Sequence, residues 1–336
     1  MKRKRWLLSA ALSLGLGLTC SANAQTKEVT FGHQDMVVPF RVAQAAGAVE
    51  KATGYKINWK LFGGGGDVIR AFASGDLPIG EVGSSPATTA AAQGLDVQVI
   101  WILDDISNAE QLVARDGSNI AALTDLKGKK VATPFVSTAH YQLLFALKRA
   151  GVSPSDAQII NLRPAEIAAA WERGDIDAAF IWDPVLSKLK ANGKVVISAA
   201  EIAKQGAPTF DAIIVDRGWA EKNKDFVTAL VKEIAKANEA YKARKDKYTK
   251  DSDEVKAIAK TVGGTPETVL ATLADYAFPT PAEQATTAWL GGGKDSAVAK
   301  ALANTAVFLK EQGRITDIPA DFSKFVNPEF AAAAAK

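Results

Sequence analysis

Between residues 158 and 197 the chain reads QIINLRPAEIAAAWERGDIDAAFIWDPVLSKLKANGKVVI. It divides into a strand at Gln158–Leu162, a helix at Pro164–Arg173, a strand at Ala178–Trp182, a helix at Pro184–Ala191 and a strand at Lys194–Ile197. Strands alternating this regularly with helices predict an α/β protein with mainly parallel sheets.

The same alternation runs upstream. A strand at Val29–Gly32 precedes a helix at Met36–Lys51, with Pro39 in its first turn, where proline is tolerated, and Gly54 closing it. Tyr55–Phe62 reads as a strand with Ile57, Trp59 and Leu61 on one face. The glycine run Gly63–Gly66 leads into a short helix at Val68–Ser74, and strands at Leu77–Val82 and Val97–Leu103 flank a helix at Ala87–Gln93. A second series begins at Glu110, with a strand at Gln111–Arg115, a turn and strand through Leu123–Ala132 and a helix at Ala139–Ala150. The last strand is Ala212–Val215.

Past Asp216 the strands stop. Phe226–Arg244 carries an apolar stripe of Val227, Leu230, Val231, Ile234, Ala237 and Tyr241, and helices follow at Ser252–Thr261, Pro266–Asp275, Pro281–Leu290 and Ser296–Gln312. A helical third cannot build its own sheet, so it is expected to cover the first α/β unit. The chain would leave one lobe near Glu110, build a second, and return near Asp211. Residues 25–112 with 212–336 are the expected first lobe and residues 113–211 the second. Two crossings make a hinge, and ligands favour such interfaces.

The length of 336 residues fits two domains. Hydrophobic residues at 48% and charged residues at 23% exclude wholesale disorder. Residues 1–24 read as a secretory signal peptide: Lys2, Arg3, Lys4 and Arg5, an apolar run from Trp6 to Leu18, and Ala22-Asn23-Ala24, with cleavage after Ala24. The apolar run falls short of the roughly 20 residues that span a bilayer, although an uncleaved anchor is the other reading. Without that segment 36 basic residues face 37 acidic ones, a net charge of −1 instead of +3. A nucleic-acid binder would keep a basic surplus. The only cysteine, Cys20, lies in the leader, so the mature chain would have no disulfide and no thiolate for catalysis or metal binding. A periplasmic destination follows.

Familiar chemistry is missing. Gly63–Gly66 runs on into Asp67-Val68-Ile69-Arg70, and Gly291-Gly292-Gly293-Lys294 into Asp295, so neither is a phosphate loop. The two histidines, His33 and His140, lie far apart in the chain, and no H-E-x-x-H, G-x-S-x-G or C-x-x-C occurs. No cofactor, metal or catalytic residue is expected. What remains is a pair of helix starts suited to an anion, Gly83-Ser84-Ser85-Pro86 and Ser137-Thr138-Ala139-His140. A helix N-terminus carries partial positive charge and free N–H groups. Each start alone reads equally as an ordinary N-cap; one in each lobe, they would face each other across a cleft.

Several segments then stand in a familiar order: Gly83-Ser84-Ser85-Pro86, Asn108-Ala109-Glu110, Pro134 to Tyr141, Ala169 to Asp177 and Gly206-Ala207-Pro208-Thr209-Phe210-Asp211. The chain resembles the periplasmic taurine-binding proteins of ABC importers, a group that extends to aliphatic-sulfonate, nitrate and thiamine-precursor binders. The resemblance spans nearly the whole mature chain. It implies a type II periplasmic-binding fold, with two α/β lobes on a two-crossing hinge and closure on ligand. It also implies a monomeric receptor for taurine that serves a membrane permease and its cytoplasmic ATPase, with no enzymatic activity and no nucleic-acid partner. Taurine is a zwitterion. Ser84, Ser85, Thr138 and His140 would suit its sulfonate, Gln34 would add an amide, and Trp182 a wall with an indole N–H. Glu110 and Asp211 would hold the ammonium. Asp183 departs from the expected small uncharged residue; it reads as the cap of the helix at Pro184 rather than as part of the site. The glycine loop before Asp67 also departs, and no sulfonate contact is expected from it.

Two other functions compete. One is a receptor for another organosulfonate or a small amine-bearing acid; two carboxylates in the site would exclude nitrate and simple alkanesulfonates. The other is a thiamine-precursor-type enzyme on the same scaffold, which would be cytoplasmic and richer in histidine or cysteine.

Overall fold

Ten strands were found in the computed structural model, which describes residues 27–336; the leader, Cys20 and the cleavage site after Ala24 lie outside the described residues. In chain order they are β1 (Glu28–His33), β2 (Lys56–Leu61), β3 (Ile79–Gly83), β4 (Val97–Asp105), β5 (Glu110–Arg115), β6 (Lys130–Thr133), β7 (Gln158–Asn161), β8 (Ala178–Trp182), β9 (Gly193–Ser198) and β10 (Phe210–Asp216). They form two five-stranded sheets, ordered β2-β1-β3-β10-β4 and β7-β6-β8-β5-β9.

Both sheets are mixed rather than mainly parallel. β1 runs parallel to β2 and β3, while β10 is antiparallel to β3 and β4. In the second sheet β6 runs parallel to β7 and β8, while β5 is antiparallel to β8 and β9. The reversed strand in each sheet is the one that arrives from the other sheet. The remaining strands end at the junction; an arriving strand begins there and must run the other way.

The first helices are α1 (Phe40–Ala45), α2 (Ala48–Thr53), α3 (Gly65–Ala73), α4 (Ser84–Ala92) and α5 (Thr138–Arg149). Then come α6 (Pro164–Arg173), α7 (Val185–Lys190), α8 (Ala199–Lys204), α9 (Arg217–Lys222) and α10 (Lys224–Arg244). The last are α11 (Asp253–Val262), α12 (Pro266–Asp275), α13 (Pro281–Gln284), α14 (Ala297–Glu311) and α15 (Glu329–Ala334). The single helix expected over 36–51 is two, because Gly47 takes a left-handed φ of 59° between them. The helix expected to reach Leu290 ends at Gln284, whose buried amide accepts from Ile102 N at 2.7 Å and donates to Ile102 O at 2.9 Å. That side chain ties α13 to β4 where a further strand would have paired. The late helices cover the first sheet: α10 packs on α1 and α2, and α14 on α4. Val326 and Ala277 bridge to Val99 and Asp105 on the otherwise open edge of β4.

The first core gathers Phe31, Phe40 and Trp59, with ring centroids 4.9–6.2 Å apart. In the second, Phe180, Leu143, Leu144 and Leu147 are buried, and the Arg115 guanidinium lies 4.5 Å from the Trp171 ring.

Candidate functional site

The junction between the sheets is built from strand ends. Asp211, at the start of β10, pairs with Gly83 at the end of β3 and with Asp104 near the end of β4. Glu110, the first residue of β5, pairs with Trp182, the last of β8. A small cavity lies here, and Gln34, Glu110, Thr138, Trp182 and Asp211 are among the residues lining it. The remaining sequence-selected residues, Ser84, Ser85 and His140, stand outside that lining.

One part of the cavity wall is made of helix starts. Gly65, Gly83 with Pro86, and Ser137 with Thr138 bring in the N-termini of α3, α4 and α5. α3 and α4 have no side-chain cap, so their first N–H groups are left for whatever the cavity holds. α5 is capped by Ser137, whose hydroxyl accepts from His140 N at 3.0 Å. The close approach needs glycine. A Cβ on Gly65 would sit 2.5 Å from Pro86 Cγ, and one on Gly83 would sit 2.6 Å from Thr138 Cγ2. The glycine loop discounted in the sequence therefore forms part of the wall. Ser84 is buried in the first turn of α4 with its hydroxyl unpartnered.

The other part is acidic. Glu110 and Asp211 line the cavity, while Asp104, the strand partner of Asp211, stands outside the lining; all three are buried. Thr138 donates its hydroxyl to Glu110 Oε1 at 2.6 Å, but Glu110 Oε2 and both oxygens of Asp104 have no partner. Burial, together with the charge of Asp211, pushes Glu110 up to about 8. Burial and the charge of Glu81 push Asp211 up to about 7, against the pull of Arg41. Asp104 is raised well above the usual carboxylate range by burial and then by Asp211, Asp105 and Glu110. Three carboxyl groups are thus desolvated together with no cation in contact, an arrangement that favours either bound protons or a cationic ligand. Among the described residues no group of carboxylates, histidines or cysteines is arranged to hold a metal ion.

The cation whose charge reaches Asp211 is already engaged. Arg41 is fully buried and pairs with Glu81, its Nη1 reaching Oε1 at 2.8 Å and its Nη2 reaching Oε2 at 2.5 Å. It also donates to the carbonyls of Gln34 and Met36 at 3.0 and 3.1 Å, which fixes the loop after β1 against the cavity. Gln34 lines the cavity, but its Nε2 donates to Glu81 O at 3.2 Å. Trp182 lines the cavity, while its indole N–H is spent on Asp35 Oδ1 at 2.8 Å, across the junction. His140 stacks on Phe135 at 4.3 Å, with Arg314 on the Phe135 ring in turn. Burial, then the charge of Arg314, depresses its pKa to about 3, so the ring is neutral. Asp183 accepts from Ser187 N at 2.7 Å and from the Thr272 hydroxyl, a structural role.

Three residues escaped the sequence reading. Asp104 follows an apolar strand read as ending at Leu103; its signal was the consecutive pair Asp104-Asp105 closing that run. Met36, expected to open the first helix, lies in the loop before α1. Tyr276 lines the cavity from beyond α12, and nothing in its local sequence marks it.

The family described as NMT1/THI5 like matches residues 38–247. The chain is 38% identical over 307 residues to the taurine-binding periplasmic protein of Escherichia coli (strain K12), covering 91% of this chain and 93% of that one. It is 29% identical over 264 residues to a putative aliphatic sulfonates-binding protein of the same organism, covering 77% and 79%. Among solved structures, the alkanesulfonate-binding protein of Xanthomonas axonopodis pv. citri bound to MOPS shares the fold. Its TM-score is 0.73 at 24% identity, over 88% of this chain and 96% of that one.

Proposed function

The chain belongs to the NMT1/THI5-like family, and we propose that it is a periplasmic receptor that captures taurine between two lobes and delivers it to an ABC importer. The lobes are the two expected from the sequence, with the crossings moved to just before Glu110, which begins β5 of the second sheet, and just before Phe210, which begins β10 of the first, and the leader is removed after Ala24. The receptor works as a monomer, hands its ligand to a membrane permease driven by a cytoplasmic ATPase, and performs no chemistry on it.

The observation that carries this reading is the pairing of opposite ends in one small cavity. Uncapped helix starts at Gly65 and Gly83 offer N–H groups to a sulfonate. Glu110 and Asp211, with Asp104 buried behind Asp211, await a cation. Taurine has one group for each end on a two-carbon spacer. A nitrate ion or a simple alkanesulfonate would leave the carboxyl groups unmatched. Binding of the ammonium stabilises their ionised forms, so capture is coupled to release of protons they hold in the free protein.

Titration calorimetry with taurine and with ethanesulfonate tests the reading. Taurine should bind at least tenfold more tightly, since only it satisfies the acidic end. Equal affinities would remove the carboxylates from the ligand site. Taurine incubated with the protein should also be recovered unchanged by mass spectrometry.

A further inference from the structure

Tyr276 stands between two chambers. Asp105 N donates to Ala277 O at 2.7 Å and Ala277 N to Asp105 O at 3.1 Å, while Asn108 N donates to Asp275 O at 3.1 Å. These bonds pin Tyr276 against the end of β4, beside the carboxyl cluster. On that side it closes the small cavity. It also lines an open pocket of about 700 Å³, walled by Tyr241, Tyr248, Phe278 and Trp289 together with the charged side chains of Lys242, Lys245, Asp246 and Glu283. The Phe278 ring is 6.0 Å from Tyr276 and 5.4 Å from Tyr241, which is in turn 5.4 Å from Tyr248. Among the described residues Tyr276 alone belongs to both walls.

We propose that Tyr276 is the partition that limits the ligand at its ammonium end, and that the aromatic chamber behind it is a latent subsite for an apolar substituent on the ligand nitrogen. The ligand class is an N-alkylated 2-aminoethanesulfonate. A secondary ammonium keeps its charge and two N–H groups for the carboxylates, and its alkyl group would project past position 276 onto aromatic faces that favour both apolar surface and adjacent positive charge. In the native protein the Tyr276 ring, buried to 9% exposure, blocks that path. The partition rests on the reading of the carboxyl cluster as the ammonium end.

The test compares taurine with N-cyclohexyltaurine, whose amine is also protonated at neutral pH, by calorimetry on the wild type, Tyr276→Ala and Tyr276→Phe. The wild type should prefer taurine by at least a hundredfold. Tyr276→Ala should shrink that preference by tenfold or more, chiefly through tighter binding of the cyclohexyl compound. Tyr276→Phe keeps the ring and should keep the preference. If Tyr276→Ala does not fold by thermal melt, Tyr276→Leu, which retains apolar bulk without the ring's reach, replaces it with the same expectation. An unchanged preference in a variant that still binds taurine overturns the partition and leaves the receptor reading intact. Relaxation by Tyr276→Phe as large as by the smaller residue overturns it too, because the hydroxyl and not the ring would then set the limit. A wild type that binds neither compound overturns the receptor reading and the partition with it.

Discussion

The two sheets are built alike and loaded differently. Each places its second native strand at one edge, then its first and third, then a strand arriving from the other sheet, then its fourth. The arriving strands, β10 and β5, each bring a carboxylate to the junction at or beside their first residue, Asp211 and Glu110. Their surroundings differ. Asp211 lies within Coulombic reach of Glu81 and Arg41, whereas Glu110 accepts from a threonine hydroxyl; burial pushes both up, to about 7 and about 8. The first sheet also supplies Asp104 and the two uncapped helix starts, and the second supplies the indole wall and a helix start that is already capped. A repeated topology thus sets equivalent positions, and a few side chains load them differently: the first half carries the uncapped helix starts and Asp211, the second Glu110 and the indole wall.

The two carboxylates give the strongest test of that asymmetry. Asp211 has the Arg41 charge within reach to favour its ionised form, so it is expected to be the main anchor of the ammonium. Asp211→Asn should weaken taurine binding by about 2 kcal/mol or more, roughly 30-fold. Glu110→Gln, which still accepts from Thr138, should weaken it about tenfold at pH 7. Ethanesulfonate should bind both variants no worse than the wild type. Calorimetry on the four combinations decides, and a larger loss for Glu110→Gln would invert the comparison.

Proton release gives the next effect. In the free protein these carboxyl groups hold protons near neutrality, and an ammonium favours their loss. Taurine affinity should rise with pH between about 6 and 8, by up to about tenfold per unit for each proton released. Calorimetry in buffers of different ionisation enthalpy should register that release; a flat profile would mean the groups are already ionised. Stability of the ligand-free protein should move the opposite way. Both folded pKa values lie above the unfolded ones, so the folded state binds more protons. The contribution is full below about pH 4, falls as pH rises, and is gone once pH passes about 8. Thermal melts of free protein across that range check the sign.

A smaller effect separates a buried tie between the lobes from an exposed one. Trp182 donates to Asp35 across the junction, and Trp182→Phe leaves that carboxylate a partner short only when the lobes are together. The loss should be about 1 kcal/mol, roughly fivefold in taurine affinity. Arg163 also crosses the junction, reaching Asp67 at 3.0 Å, but its side chain is 59% exposed. Arg163→Ala should change affinity less than twofold at physiological salt. Equal losses by calorimetry would erase the distinction.

The pattern of strands and helices was legible because apolar periodicity and glycine stops are local. Pro164–Arg173, Ala178–Trp182 and Pro266–Asp275 have the bounds the sequence implied. The helix Ala199–Lys204 was overlooked although Ser198 and Glu201 form a reciprocal capping box, Ser198 N donating to Glu201 Oε2 at 2.8 Å. Strand direction was not legible, since it depends on which sheet a strand joins after a crossing. The site was legible at Glu110 and Asp211, which begin strands at the crossings. Hydrogen-bond partners were not: the Trp182 indole and the Gln34 amide had obvious donors, but their acceptors, Asp35 and the Glu81 carbonyl, are brought near only by the fold. Tyr276 reaches the cavity from a segment whose place depends on pairing with β4.

Asp183 offers the smallest expected effect and the sharpest control. It follows Trp182 directly, so by sequence it competes with Asp211 for the ammonium. The fold uses both its oxygens elsewhere: Oδ1 accepts from Ser187 N at 2.7 Å, and Oδ2 accepts from the Thr272 hydroxyl. It is absent from the cavity lining. In Asp183→Asn the amide oxygen can still take the Ser187 N–H, and the Thr272 hydroxyl still has Thr268 O at 2.8 Å. What is lost is one acceptor and one negative charge near Tyr276, so stability should fall by about 1 kcal/mol. Taurine affinity should stay within about twofold, because a charge outside the cavity acts on the ammonium only at longer range. Thermal melts and calorimetry on this variant beside Asp211→Asn separate the two carboxylates. If Asp183→Asn loses taurine while Asp211→Asn keeps it, the ammonium lies on the second lobe's side, and the division of labour between the halves is reversed.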